Sequence, residues 1–174
     1  PVAETPGQFL LRRFPDWKNI YKRMFIDADR AMGKHSPLYT TEDVYMLVAG
    51  MNSLDADIRD NFSDIFLPEE YARMWECDNY VRFKEYWGYR TPCSSVVSDM
   101  LDKADARIAS GERGADLRFG HDHVLMSLYL IMDIDHFANL PSEPDSLACW
   151  FRTYDSPMAG NIQMVFYRPV SGQG

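Results

Sequence analysis

Apolar residues recur at intervals of three and four positions between residues 16 and 111, which is the period of an amphipathic helix. The pattern predicts four helices, over 16–32, over 41–59, from Pro68 to about Gly88, and from Pro92 to Gly111. The best-phased apolar stripe comprises Val44, Leu47, Val48, Met51, Leu54 and Ile58. Residues 1–13 show no such period and are predicted to be irregular. The sequence therefore predicts a helical lobe over 1–113.

The pattern changes after Gly114. Residues 115–119 are predicted to form a short strand that ends at Gly120, and the nearly all-apolar run 124–132 predicts a buried helix. A second strand is predicted over 161–168. A strand, a helix and a strand in this order are typical of the end of an α/β sheet. We therefore predict an α/β fold, with a helical lobe over 1–113 and the C-terminal part of an α/β core over 114–174.

Composition restricts the partners of this chain. It has 174 residues, 46% of them apolar, and a formal net charge of −8. Nucleic acids and anionic membranes bind basic surface, so neither is an expected partner. No apolar run is long enough to span a bilayer, and residues 1–6 lack the features of a signal peptide. Because the chain starts abruptly and without Met, we expect that an upstream segment has been removed.

The motif Gly120-His121-Asp122-His123 lies where the predicted strand meets the buried helix. The first turn of a helix leaves backbone N–H groups unpaired and has a positive potential, which favours an anionic group. Two imidazoles and a carboxylate at this place can bind phosphate, donate a proton or hold a metal. The structural alternative is helix capping, in which an Asp contributes roughly 1 kcal/mol.

A metal site is the second functional interpretation of the same motif. In an extended segment the side chains of His121 and His123 point the same way, as two ligands of one divalent ion do. Further ligands would be needed, and only His35 and His136 remain among the histidines. The three cysteines, Cys77, Cys93 and Cys149, have no zinc-type spacing, and their disulfide status is left open.

The segment Leu117-Arg118-Phe119-Gly120-His121-Asp122, followed by an apolar helix, resembles the second active-site motif of the histidine phosphatase superfamily. The resemblance is to the branch that contains acid phosphatases, phytases and multiple inositol polyphosphate phosphatases. Residues 156–168 are similar to the final core strand of bacterial members. The resemblance implies an α/β core with a helical cap, which corresponds to our predicted division at residue 113.

The implied activity is hydrolysis of phosphate monoesters, such as phytate or other phosphorylated small molecules, through a phosphohistidine. His121 would contact the phosphoryl oxygens, and Asp122 would donate the proton to the leaving alcohol. Arg118 and His123 are further candidates for substrate binding, and the inositol polyphosphate branch more often has a glutamate donor at the place of His123. The mechanism requires no metal or other cofactor. Many relatives are periplasmic or secreted.

The family's nucleophile belongs to an Arg-His-Gly motif, which this sequence does not contain. Either the nucleophile comes from a missing N-terminal portion of the same enzyme, or the protein is a noncatalytic relative that binds anions. On the first interpretation this chain alone is inactive. A basic cluster comprises Arg12, Arg13, Lys18, Lys22 and Arg23, and is either a solvated helix face or a site for additional phosphates. The aromatic residues Tyr71, Trp75, Tyr80, Phe83, Tyr86 and Trp87 are interpreted as core.

Overall fold

The computed structural model describes residues 4–34, 37–51, 54, 65–137, 143–157 and 159–167. All regular structure within these residues is helical. The α-helices are α1 (Pro6–Arg13), α2 (Lys18–Met24), α3 (Ala28–Lys34), α4 (Pro37–Met51), α5 (Pro68–Ser110) and α6 (Asp122–Ile131). Short 3₁₀ helices cover Ile134–His136, Pro144–Cys149 and Thr153–Asp155. The prediction of an α/β fold is therefore wrong, since the described part of the chain contains no strand.

The two segments that we predicted as strands are neither helix nor strand. Residues 112–120 are exposed throughout, with 76% of Leu117 and 95% of Phe119 accessible to solvent. Residues 161–167 likewise have no regular structure, and Arg168 lies outside the described residues. A strand needs a neighbouring strand to pair its backbone groups, and a pattern of side chains cannot show that one exists. The side-chain pattern was therefore insufficient to predict a strand at either segment.

Helix α1 lies in a region that we predicted to be irregular, and that prediction is wrong. The Thr5 hydroxyl accepts a hydrogen bond from the Gln8 N–H at 3.3 Å, and the Gln8 side chain accepts one from the Thr5 N–H at 2.9 Å. This reciprocal pair is a capping box, with Pro6 at the start of the helix. Phe9 and Leu10 are buried, so packing adds to the capping.

The single helix predicted over 16–32 is two helices, α2 and α3. Phe25 has extended backbone angles, φ −124° and ψ 136°, which end α2. The Asp27 carboxylate then accepts a hydrogen bond from the Arg30 N–H at 3.0 Å, at the start of α3. Helix α4 begins at Pro37 and ends at Met51. Most of the remainder of the predicted range 41–59 lies outside the described residues.

Helix α5 begins at Pro68 as predicted, but it does not end near Gly88. It continues through Pro92 to Ser110, so the third and fourth predicted helices are one. A proline removes one N–H donor and crowds the preceding turn, at a cost of about 3 kcal/mol. Buried Tyr86 and Cys93 lie on either side of this point. Gly111 follows the helix with φ 73°, the left-handed conformation that glycine readily adopts at a helix end.

The chain forms two compact units. The first comprises Pro1–Glu85 and Leu140–Phe151, and the second comprises Tyr86–Asn139 and Arg152–Gly174. Helix α5 contributes its first part to one unit and its second part to the other. The predicted division at residue 113 rests on the change of pattern after Gly114, and the assignment of the two parts to a cap and a core stays a prediction.

The core of the first unit is rich in aromatic side chains. Phe9 stacks on Tyr80 with ring centroids 4.3 Å apart, and Phe83 packs edge-on against Phe151 at 5.2 Å. The Asn79 side-chain amide donates a hydrogen bond to the Phe151 carbonyl at 2.7 Å. These contacts fix the segment around residue 151 to α5 within this unit. They also confirm that Tyr80 and Phe83 are core residues.

The second unit is organised around α6. Met126, Ser127, Leu128 and Leu130 are buried on this helix, which confirms the predicted buried helix to within two residues at its start. All three cysteines have free thiols. Burial raises the pKa of the Cys77 thiol, in the first unit, to about 12. No described helix has the length and apolar character that a bilayer span requires.

Asp78 on α5 is a nearly buried carboxyl whose side chain is 11% exposed. Burial raises its pKa, and the nearby Arg82 guanidinium, 3.5 Å from the carboxylate, only partly opposes this effect. Burial and the charge of Asp78 also raise the pKa of Glu42. A folded-state pKa above the unfolded value means that this carboxyl favours folding while it is protonated, and that the contribution is lost as pH rises through the folded pKa.

We therefore expect Asp78→Asn to raise the melting temperature at pH 7, because the amide has no ionised form that burial disfavours. The gain should shrink markedly at about pH 3.5, below the ordinary pKa of an Asp, because most of the carboxyl is then protonated in both states. Thermal unfolding of parent and variant at the two pH values measures the difference. Asp102→Asn, at an exposed position on the same helix, is the control. A lower melting temperature at pH 7 would show that the Arg82 ion pair outweighs the cost of burial.

Candidate functional site

The candidate site lies at the N-terminus of α6. His121 occupies the N-cap position with extended backbone angles, φ −100° and ψ 166°, and Asp122 is the first helical residue. The His121 carbonyl accepts hydrogen bonds from the N–H groups of Val124 at 3.1 Å and Leu125 at 3.3 Å. No side chain caps this end of the helix. The motif therefore has the helix-start position that we predicted, without the side-chain capping that the structural alternative proposed.

The Asp122 carboxylate has a different neighbour at each oxygen. Its Oδ2 accepts a hydrogen bond from the Tyr86 hydroxyl at 3.1 Å. Its Oδ1 lies 3.8 Å from the His123 Nδ1. The carboxylate is nevertheless 63% exposed, while Tyr86 is buried. A buried hydroxyl thus holds a carboxylate that a solvent molecule or a small substrate can reach.

The two histidines of the motif stack on each other. The ring centroids of His121 and His123 are 5.5 Å apart with an interplanar angle of 15°, and the His123 ring lies 6.4 Å from the Tyr86 ring. Imidazole lone pairs lie in the ring plane, so two parallel stacked rings do not direct them at a common ion. In the part of the chain that the structure describes, no three His, Cys, Asp or Glu side chains are placed to share a metal.

Arg118 is already engaged by acidic side chains. Its guanidinium lies 2.5 Å from the Asp99 carboxylate and 3.4 Å from that of Asp116. The hydrogen bonds from Arg118 and Lys103 lower the pKa of Asp99. Asp99 and Lys103 lie on α5, so these pairs attach residues 116–118 to that helix within the second unit. A phosphate that bound Arg118 would compete with Asp99.

The arginines of the basic cluster form ion pairs in the first unit. Arg12 pairs with Glu4 at 2.9 Å and with Asp145 at 2.7 Å. Arg13 pairs with Glu76, and Arg23 pairs with Glu70. These pairs favour a structural role for the three arginines over a site for additional phosphates. Of the remaining histidines, His35 lies outside the described residues and His136 ends a 3₁₀ helix with φ 62°.

Two residues of the site were not predicted from the sequence. Tyr86 was assigned to the core, and it is buried, but its hydroxyl also reaches Asp122. Ser127 lies within the predicted buried helix, and it is fully buried. Its hydroxyl is 2.7 Å from the His123 carbonyl and 3.2 Å from the Tyr86 carbonyl, and it donates to this pair. Ser127 could have been identified as a site residue because it is a polar residue within an apolar helix. No residue near Tyr86 in the sequence indicates that its hydroxyl contacts Asp122.

One small hollow lies in the first unit. Its lining residues are Phe9, Glu76, Asn79, Pro144, Asp145, Leu147 and Ala148. None of them belongs to the α6 site. No family model, curated protein or solved structure matches this chain significantly.

Proposed function

We propose that this chain supplies the proton donor and a phosphate-contacting histidine for the hydrolysis of phosphate monoesters. Asp122 is the donor to the leaving alcohol, and His121 contacts the phosphoryl oxygens. The observation that carries the proposal is an accessible carboxylate held by a buried hydroxyl at an uncapped helix N-terminus. The proposed substrates are phytate or other phosphorylated small molecules, and the chemistry uses no metal.

The proposed hydrolysis requires a proton donor beside the leaving oxygen and positive groups beside the phosphoryl oxygens, where negative charge is located. The first turn of α6 favours a phosphate, because its N–H groups and the helix dipole attract an anion. A carboxylic acid beside that phosphate can protonate the oxygen that leaves as the P–O bond breaks. His121 and Asp122 are adjacent and exposed, so one phosphate monoester can meet both side chains.

The nucleophile must come from a polypeptide that carries an Arg-His-Gly segment, since this sequence has none. Its histidine would form the bond to phosphorus that replaces the bond to the leaving alcohol. Residues 112–122 are exposed in this chain, which leaves the site accessible to such a polypeptide. We therefore propose that this chain alone is inactive and that the missing N-terminal portion is its partner.

The test is phosphate release from p-nitrophenyl phosphate over a range of pH. The chain alone is compared with a longer polypeptide that includes the residues encoded upstream of Pro1. Activity only in the longer protein, together with an upstream Arg-His-Gly segment, is the expected result. A folded longer protein that releases no phosphate at any pH would refute the proposal. Binding of inorganic phosphate by that inactive protein would instead favour the noncatalytic alternative.

A further inference from the structure

We propose that Tyr86 is a positioning residue that selects which oxygen of Asp122 delivers the proton. This inference rests on the proposed function and goes beyond it by assigning separate roles to the two carboxylate oxygens. The Tyr86 hydroxyl occupies Oδ2 at 3.1 Å. Oδ1 lies 3.8 Å from the His123 Nδ1, beyond hydrogen-bond distance, and is therefore the oxygen directed to the leaving group.

Tyr86 can impose an orientation because its own position is fixed. Its side chain is 4% exposed, and its ring lies beside that of His123, with centroids 6.4 Å apart. The buried Ser127 hydroxyl lies between the backbone carbonyls of Tyr86 and His123. This serine links the first turn of α6 to α5 at Tyr86. Tyr86 and helix α6, which carries Asp122, are thus held together within the second unit.

The carboxyl of an exposed Asp rotates freely about its terminal bond unless a partner holds it. The hydrogen bond from Tyr86 removes this freedom at Asp122 without covering the carboxyl. The same contact persists when Oδ1 carries the proton, because Oδ2 is then a carbonyl oxygen and still accepts. In the reaction the proton leaves Oδ1 for the departing oxygen, which takes the electron pair of the breaking P–O bond. The phosphoryl group moves to the nucleophilic histidine, and Asp122 becomes a carboxylate.

Tyr86→Phe removes only the hydroxyl and keeps the ring. In the complete enzyme it should lower kcat for an alkyl phosphate about tenfold and leave KM nearly unchanged, since the donor is misplaced but the substrate contacts remain. For p-nitrophenyl phosphate, whose leaving group needs little protonation, the loss should be less than about twofold. A role that is only structural would lower both rates equally. Equal losses for the two substrates would therefore overturn the proposal.

Two controls make this comparison specific. Tyr129→Phe removes a hydroxyl from a half-buried ring on α6 that packs against Phe137, and it should leave both rates unchanged. In an Asp122→Asn background, Tyr86→Phe should cause no further loss, because two residues that act through one step are not additive. A full additional tenfold loss in that background would show that Tyr86 acts through another group, and would overturn the proposal.

The contact is also measurable in this chain without any activity. With carbon-13 in the Asp side chains, the carboxyl resonance of Asp122 is identified by its loss in Asp122→Asn. Tyr86→Phe should shift this resonance, and Tyr129→Phe should not. An unmoved resonance overturns the positioning role. The resonance could shift although the longer polypeptide hydrolyses no phosphate ester. That result would confirm the contact between Tyr86 and Asp122. It would overturn the proposed function and, with it, the catalytic role of Tyr86.

Discussion

Asp122→Asn in the longer polypeptide of the proposed function should lower turnover of an alkyl phosphate about 10²- to 10⁴-fold, which is the range that general acid catalysis supplies. An amide has almost the same shape as the carboxyl, and its oxygen can still accept the hydrogen bond from Tyr86. It has no acidic proton to give to the leaving oxygen. The substitution therefore removes the proton donor and retains the local structure. Initial rates at saturating substrate give kcat directly.

Substrate binding should survive this substitution, because His121 and the helix N-terminus remain. Competitive inhibition by inorganic phosphate measures the retained binding. Asp102→Asn is the matched control, since it removes an exposed carboxyl of α5 that lies outside the site. Unchanged kcat in Asp122→Asn would exclude this residue as the donor. Equal losses in the two variants would point to an effect of net charge.

Phe151→Ala should lower the free energy of unfolding of the first unit by about 3–5 kcal/mol, the usual cost of removing a fully buried phenyl ring. Phe151 is 1% exposed, and its ring packs edge-on against Phe83. The Ala variant would leave a cavity beside Phe83. It would also weaken the packing that brings the Phe151 carbonyl to the buried Asn79 amide. The loss thus combines apolar transfer, a cavity and a strained hydrogen bond.

Urea unfolding followed by tryptophan fluorescence and by circular dichroism measures this effect. The adjacent Trp150 is 43% exposed, so Trp150→Ala is a control that removes a larger side chain from a more accessible position. The control should cost clearly less than Phe151→Ala. A similar loss in both variants would show that Phe151 does not hold this segment to α5. Because Trp150→Ala also removes a fluorophore, circular dichroism is the probe for that comparison.

Local signals in the sequence were sufficient for several elements. Pro68 followed by Glu69 and Glu70 predicted the start of α5, and Gly111 predicted its left-handed end. The continuous apolar run predicted α6. The capping box of Thr5 and Gln8 is also a local signal, although we predicted residues 1–13 to be irregular. Such signals depend on neighbours within one turn, which the sequence contains in full.

Pairing between distant segments could not be predicted in this way. Apolar and polar side chains alternate over residues 115–119, but no described segment pairs with these residues as a strand. Pro92 was predicted to start a helix, but α5 continues through it, with buried Tyr86 and Cys93 on either side. At the site, the sequence indicated His121 and Asp122. It did not indicate Tyr86, which precedes Asp122 by 36 positions.

The sequence by itself determined where helices such as α6 begin and which titratable groups stand at that beginning, because capping and apolar periodicity act over a few residues. Only the tertiary structure decided that residues 112–120 remain exposed and that a buried tyrosine holds the Asp122 carboxylate. Both depend on which surfaces of α5 meet residues far along the chain. The packing of the whole unit decides which surfaces of α5 make these contacts, and no local sequence pattern shows it.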